Sequence, residues 1–292
     1  MKRILFLVIL ILTAATICSA QTTFYFPHVA NGVLGGTIWK TTIFLTNPAA
    51  SGTASGTIAF TKDDTANPGA AGSVFSSIAF VDQAGAPAGS GGTITFSIPG
   101  GQTRKYTSTG VGDYAGGFAT VVATSGSVSG TAIFSEFDLS GRLIAEAGVP
   151  SGNAVQNQAI FVDTIGGYNI GVAYAVPGAA SANISLSLLN SSAVTVATTT
   201  QVLGTGNHGA AFTSQIFVGS PELAGTMQLR SSVPIAAIAL RFDPTFTVFT
   251  TLPPVSIASL INPVMNWLDQ RPWLLPVASI ARLLDVFKFR VG

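Results

Sequence analysis

The chain has 292 residues, 48% of them hydrophobic and only 9% charged, with 32 glycines, 15 prolines and a formal net charge of +1. A typical soluble domain carries about 25% charged residues. High hydrophobicity with so little charge excludes an intrinsically disordered chain. Too few Glu and Lys are present for a coiled coil, and the near-zero net charge leaves no electrostatic case for a nucleic-acid partner.

The N-terminus begins Met1-Lys2-Arg3, continues with an apolar run from Ile4 to Leu12, and ends in small residues at Cys18-Ser19-Ala20. A basic start, a short apolar core and a small-residue exit predict a secretory signal peptide over 1–20, cleaved after Ala20. The run from Ile4 to Ile17 is short for a membrane span of about 20 residues, though a retained anchor is the competing reading. A lipoprotein signal would use Cys18, but bulky Ile17 stands where a small residue is wanted. Cys18 is the only cysteine, so the mature chain would enter an oxidising space with no disulfide and no thiol chemistry.

From Gln21 to about Val255 the chain is a series of short runs rich in Val, Ile, Thr and Phe, separated by Gly, Pro, Asn, Asp and Ser. Examples are 41–46, 56–61, 93–98, 118–123, 130–137, 184–188 and 235–242. No helical stripe interrupts them. Many short strands with turn signals between them predict an all-β fold of two tandem antiparallel β-sandwiches, immunoglobulin-like or similar. Thr and Ser are expected on the solvent faces in place of Lys and Glu.

An internal repeat divides this body. Trp39 opens a run that ends at Asn47-Pro48-Ala49-Ala50-Ser51, and Tyr168 opens one that ends at Val176-Pro177-Gly178-Ala179-Ala180-Ser181. The match resumes at Tyr114-Ala115-Gly116-Gly117 against Glu222-Leu223-Ala224-Gly225-Thr226. It is best at 129–138 (SGTAIFSEFD) against 234–243 (PIAAIALRFD), which aligns Ile133, Phe137 and Asp138 with Ile238, Phe242 and Asp243. The offset is 129 early and 105 late, so the first copy carries about 24 extra residues. Part of that insertion is expected at the Gly/Ala/Ser-rich stretch 82–92. The predicted domains are 21–152 and 157–254, with the polar stretch 151–158 as the link. Ile133, Phe137, Ile238 and Phe242 recur at period two or four and are expected on buried strand faces.

After Pro254 the composition changes. The segment 255–292 holds Trp267 and Trp273, with four basic residues (Arg271, Arg282, Lys288, Arg290) against two acidic (Asp269, Asp285). The body over 21–254 has seven basic and ten acidic residues. Helical spacing over 258–268 and 277–289 predicts a short helical or amphipathic tail, broken by Pro263, Pro272 and Pro276. Docking on the second sandwich, lying on a membrane surface, or staying unordered are the three readings of it.

The phrases FPHVANG (26–32), TIFLTNPAASGTASGTIAF (42–60), GTAIFSEF (130–137), EAGVP (146–150) and TTLPP (250–254) carry a family resemblance. They resemble a tandem β-sandwich module of secreted proteins from soil acidobacteria, often an accessory region of larger extracellular proteins. The resemblance covers about 230 residues and implies secretion and a sandwich fold. It brings no catalytic residues, and this chain departs from it after Pro254.

Candidate chemistry is sparse. The two histidines, His28 and His208, lie far apart and no GxSxG elbow or HExxH motif is present. Glu136 and Asp138 share a strand face and Glu146 should return on the partner strand. Asp138-Leu139-Ser140-Gly141-Arg142 reads as a hairpin turn, with Asp138 capping it and pairing Arg142. Three carboxylates on one hairpin could serve a glycosidase, but edge charges that block strand-to-strand aggregation are commoner, and the second copy has Arg241 where Glu136 aligns. The loop Lys62-Asp63-Asp64-Thr65-Ala66-Asn67 offers oxygens for calcium but lacks the twelve-residue EF-hand pattern. Trp39 and Tyr168 open equivalent strands and are expected to pack rather than bind sugar.

No catalytic, cofactor or metal residues are therefore assigned. The function expected is an exported non-catalytic structural, adhesive or binding protein, neither an enzyme nor a cofactor carrier. A carbohydrate-binding accessory protein is the alternative and a secreted hydrolase the third reading. The expected partners are extracellular polysaccharide or other surface proteins, with weak membrane contact through the tail.

Overall fold

The computed structural model describes residues 22–257. The expected signal peptide, and the expected tail beyond Ile257, lie outside the described residues. Within them the chain is all-β, as its pattern predicts. The exceptions are a single 3-10 turn at Ile165–Gly167 and a four-residue helical turn, α1 (Thr213–Ile216). No described helix is long and apolar enough to cross a membrane.

The first half contains β1 (Thr22–Leu34), β2 (Thr37–Thr46), β3 (Thr53–Lys62), β4 (Ser73–Val74), β5 (Ala79–Asp82) and β6 (Pro87–Ser90). It continues with β7 (Thr93–Pro99), β8 (Thr103–Ser108), β9 (Ala115–Ser125), β10 (Ser129–Asp138) and β11 (Leu143–Pro150). Strand β7 shows why such a weakly charged sequence folds this way. Ile94, Phe96 and Ile98 are buried while Thr93, Thr95 and Ser97 are exposed, so small hydroxyl residues take the solvent face.

The strands β1-β9-β3-β7-β6-β5-β8-β2 are hydrogen-bonded in that order, and β1 also pairs β2, which closes a ring of eight strands. Here the first half departs from an open sandwich. Two devices close it. One is the β1–β2 hairpin, whose turn residues Gly35 and Gly36 both have positive φ, +60° and +88°, as a tight two-residue hairpin requires. The other is the β5–β6 pair, which joins β8 on one side to β7 on the other. Phe26, Phe60, Phe75, Phe96, Ile43 and Ile58 fill the interior. Strands β10 and β11 extend from β2 outside the ring.

The second half contains β12 (Val155–Asp163), β13 (Asn169–Ala175), β14 (Ala182–Asn190), β15 (Thr195–Leu203), β16 (His208–Phe212), β17 (Ala224–Phe242), β18 (Phe249–Leu252) and β19 (Val255–Ser256). The long strand β17 serves two groups of strands. Its first part pairs β12 and β14, and its last part pairs β13 and β18. The switch falls where the register with β12 breaks, beside Pro234. Proline has no N–H for a ladder, so the strand can change partners there at little cost. The two groups enclose one core, with Ile184, Leu186, Met227 and Leu229 facing Ile170, Val172 and Tyr174. This half is open.

Six pairings recur between the halves. β1–β9, β9–β3, β3–β7, β2–β8, β2–β10 and β10–β11 have counterparts in β12–β17, β17–β14, β14–β15, β13–β16, β13–β17 and β17–β18. What the second half lacks is the run between β3 and β7, residues 63–92, where it has only the short turn 191–194. The first half thus carries a longer segment around β4–β6, which includes the 82–92 stretch.

Three expectations need correction. Ile133, Phe137 and Phe242 are only half-buried, and of that set Ile238 alone is fully enclosed. On β10 the core-facing residues are Ala132 and Phe134, of the opposite parity. Second, the sheet runs past Pro254, since Val255 pairs Ala159. Third, the halves are not separate bodies: the described residues up to Ser256 form one compact unit, and Leu240 and Phe249 of the second half belong to the first half's core.

Candidate functional site

The two halves dock through a loop and a turn. Asn207 is fully buried and its side chain donates to the carbonyls of Pro68 and Ala70, both at 3.1 Å, while its Oδ1 accepts from the Asp64 amide at 2.9 Å. The backbones touch as well: the Gly204 amide donates to Pro68 at 2.8 Å and the Gly72 amide to Thr205 at 3.0 Å. A Cβ on Gly204 would sit 1.8 Å from the Ala70 oxygen, so only glycine allows this approach.

Beside this seam lies a cleft of about 350 Å³. One wall comes from the first half: His28, Trp39, Tyr114, Phe134 and Glu136. The floor comes from β13, β16 and β17. In these strands Gly171, Ala173 and Ala210 stand opposite Leu240, Ile238 and each other, on the sheet face turned away from the Val172–Tyr174 core. Small residues on that face leave the space; Phe242 and Phe246 edge it. The rings interlock, with Trp39 stacked on Phe134 at 4.8 Å and Phe249 lying 6.4 Å from Trp39. Trp39 Nε1 is shut from solvent and has no hydrogen-bond partner among the described residues.

His28 and His208, 180 positions apart, meet at this wall. His28 Nδ1 lies 3.3 Å from His208 Nε2, and His208 Nδ1 lies 3.4 Å from Asp63 Oδ2. Asp63 can only accept. With both rings neutral, His208 therefore carries its proton on Nδ1 and accepts at Nε2, and His28 donates from Nδ1. His28 Nε2 is left as a bare acceptor with no hydrogen bond among the described residues. Burial, aided by His208, pushes the His28 imidazole from 6.5 down to about 3. It stays uncharged at neutral pH. Burial, aided by Asp63, raises the Tyr114 phenol to about 12.

The carboxylates expected on one hairpin do not converge. Ser135 pairs Glu146 and Glu136 pairs Ala145, so Glu136 and Glu146 fall on opposite faces. Glu136 lines the cleft. Glu146 is exposed and accepts from the Ser135 hydroxyl at 3.3 Å. Asp138 caps its turn as expected: it accepts from the Ser140 hydroxyl and the Arg142 amide, and pairs Arg142 Nε at 3.0 Å. These bonds, that of Ser140 first, hold its carboxyl well below the usual range.

Asp243 holds the corresponding turn of the second half and is lowered to about 2, first by the Thr245 hydroxyl. In the 62–67 loop Asp64 accepts from the Asn67 amide at 3.0 Å, while Asp63 turns to His208. Among the described residues no group of three His, Cys, Asp or Glu side chains is placed to hold a metal ion.

Trp39 packs, as predicted, though in the cleft wall. Tyr168 lies under the Arg241 guanidinium, 3.5 Å from its ring centre, and Arg241 also pairs Asp163 at 2.7 Å. The meeting of His28, His208 and Asp63 had no signal in the sequence, because β1 and β16 share no ladder.

No family model matches the chain, and no curated protein and no solved structure matches it.

Proposed function

We propose that this is an exported, non-catalytic binding protein, built from a duplicated sandwich-type module, whose ligand occupies the cleft between its halves. The observation that carries the reading is the cleft itself. It is concave, walled by aromatic rings, floored by glycine and alanine, and furnished with a few polar groups, the usual make-up of a small-molecule site.

The non-catalytic part rests on the same residues. Glu136 is the one carboxylate in the lining, its neighbour Glu146 faces away, and His28 is too weakly basic to take a proton near neutral pH. Export rests on the N-terminal pattern of residues 1–20. A polysaccharide surface would want a row of exposed rings. The strongly exposed aromatics in the described half-modules are Phe161 and Phe246, on separate strands and turns.

The test is titration of the purified protein with the neutral fluorophore N-phenyl-1-naphthylamine. The expected result is saturable one-to-one binding that is lost in Ala210→Trp, where an exposed alanine on the cleft floor becomes a ring filling it. Binding undiminished by that substitution would place the ligand elsewhere. Retention on cell-wall or plant polysaccharides with no fluorophore binding would favour the carbohydrate reading instead.

A further inference from the structure

We infer that the cleft selects a small organic cation, an ammonium group carried on an aromatic or aliphatic body of about phenylethylamine size. The inference rests on the cleft being a binding site and names what that site takes. Four features of the wall agree on the charge.

The first is Glu136. Its half-buried carboxylate lines the cleft and makes no hydrogen bond or ion pair among the described residues, so it offers an unanswered negative charge. The second is the set of rings. Trp39, Tyr114, Phe134 and Phe242 present faces and edges to one small volume, and the negative face of an aromatic ring attracts an ammonium.

The third is the relay from Asp63 through His208. With both rings neutral it leaves His28 Nε2 able to accept a hydrogen bond and unable to donate one. A ligand with N–H donors satisfies both Nε2 and Glu136; a carboxylate ligand satisfies neither. The fourth is the lack of competition. No lysine or arginine lines the cleft, and the body over 21–254 holds ten acidic against seven basic residues. Along the lining, Glu136 therefore meets no cationic side chain that would compete with a ligand. The volume, about 350 Å³, suits a ligand of this size.

The test uses three probes of nearly one shape: 2-phenylethylammonium, neutral propylbenzene and 3-phenylpropionate. Each is titrated into the purified protein by displacement of N-phenyl-1-naphthylamine. The cation should bind at least about tenfold more tightly than propylbenzene, and phenylpropionate should bind least. Glu136→Gln keeps the side-chain shape and removes the charge. It should erase the preference for the cation while leaving propylbenzene binding within about twofold. Asp63→Asn loosens the tautomer relay and should weaken the cation alone.

Equal binding of cation and neutral probe, or preference for the anion, overturns the inference while leaving the cleft as a binding site. If no probe binds, the fluorophore included, the site itself is wrong. A cation preference that persists in Glu136→Gln would also overturn the role given to that carboxylate.

Discussion

The two halves share six strand pairings in one order, yet only the first closes. The difference lies in the β1–β2 hairpin and in the segment around β4–β6. In the second half β15 and β16, the counterparts of β7 and β8, have nothing between them. In the first, β5 and β6 fill that gap and bring Phe75, Ile78 and Phe80 into the core. Closure abolishes the free edges that an open sheet must otherwise protect. The comparison teaches that one set of pairings makes either an open or a closed body, according to what a connecting loop carries.

The largest expected effect comes from removing that loop's contribution. Replacing β4–β6 with a short Gly/Ser linker removes three side chains now within 2% of full burial. At about 1.5–3 kcal/mol each, the loss should be about 5–9 kcal/mol, comparable with the whole stability of a domain. Denaturant titration checks it. A midpoint equal to that of the full chain would mean that closure contributes nothing.

A second contrast concerns facing. Phe134 belongs to the core that the halves share, while Phe137 on the same strand lies outward with the Lys40 ammonium 5.3 Å from its ring centre. Phe134→Ala should cost about 3–5 kcal/mol and Phe137→Ala well under half as much. The reverse order would put β10 in the wrong register.

The third effect is a pH slope at the seam. Folded His28 takes its proton only near pH 3, whereas the unfolded residue takes it near 6.5. Its folded value is depressed, so its contribution is complete above about pH 6.5 and is lost as pH falls toward 3. The slope reaches about 1.4 kcal/mol per pH unit. His28→Gln should flatten the stability profile between pH 6 and pH 4. An unchanged slope would mean that His28 is not the group responsible.

These contrasts also mark what was legible in the sequence. Alternation in β7 and turn residues at Asp138 express local chemistry, and they led to the all-β class and the capped hairpin. The facing of β10 was misread because the recurrence of Ile133 and Phe137 in the second half was taken for burial, whereas the residues of the opposite parity, Ala132 and Phe134, face the core. In the shared core the small Ala132 is what fits beside Phe134. Closure of the barrel depends on pairings between β5 and β8, and the cleft on side chains brought together across two sheets. Neither has a periodicity that a strand can display.

The smallest effect should come from the two turns. Asp138 and Asp243 hold corresponding hairpins through hydroxyl and amide bonds, and both carboxyls are depressed, so each supports the fold above about pH 4 and loses that support in stronger acid. Asp138→Asn and Asp243→Asn should each lower the thermal midpoint slightly, by similar amounts. A large fall in one alone would break the correspondence between the halves.

The claim that one ligand site is built from both halves is tested most directly by a methyl-resolved NMR titration with 2-phenylethylammonium. The account predicts that Val149 of the first half and Ala173, Ala210 and Ile238 of the second shift together along one saturation curve, since all four line the cleft. Shifts confined to one half, or scattered over exposed side chains with no common curve, would contradict it.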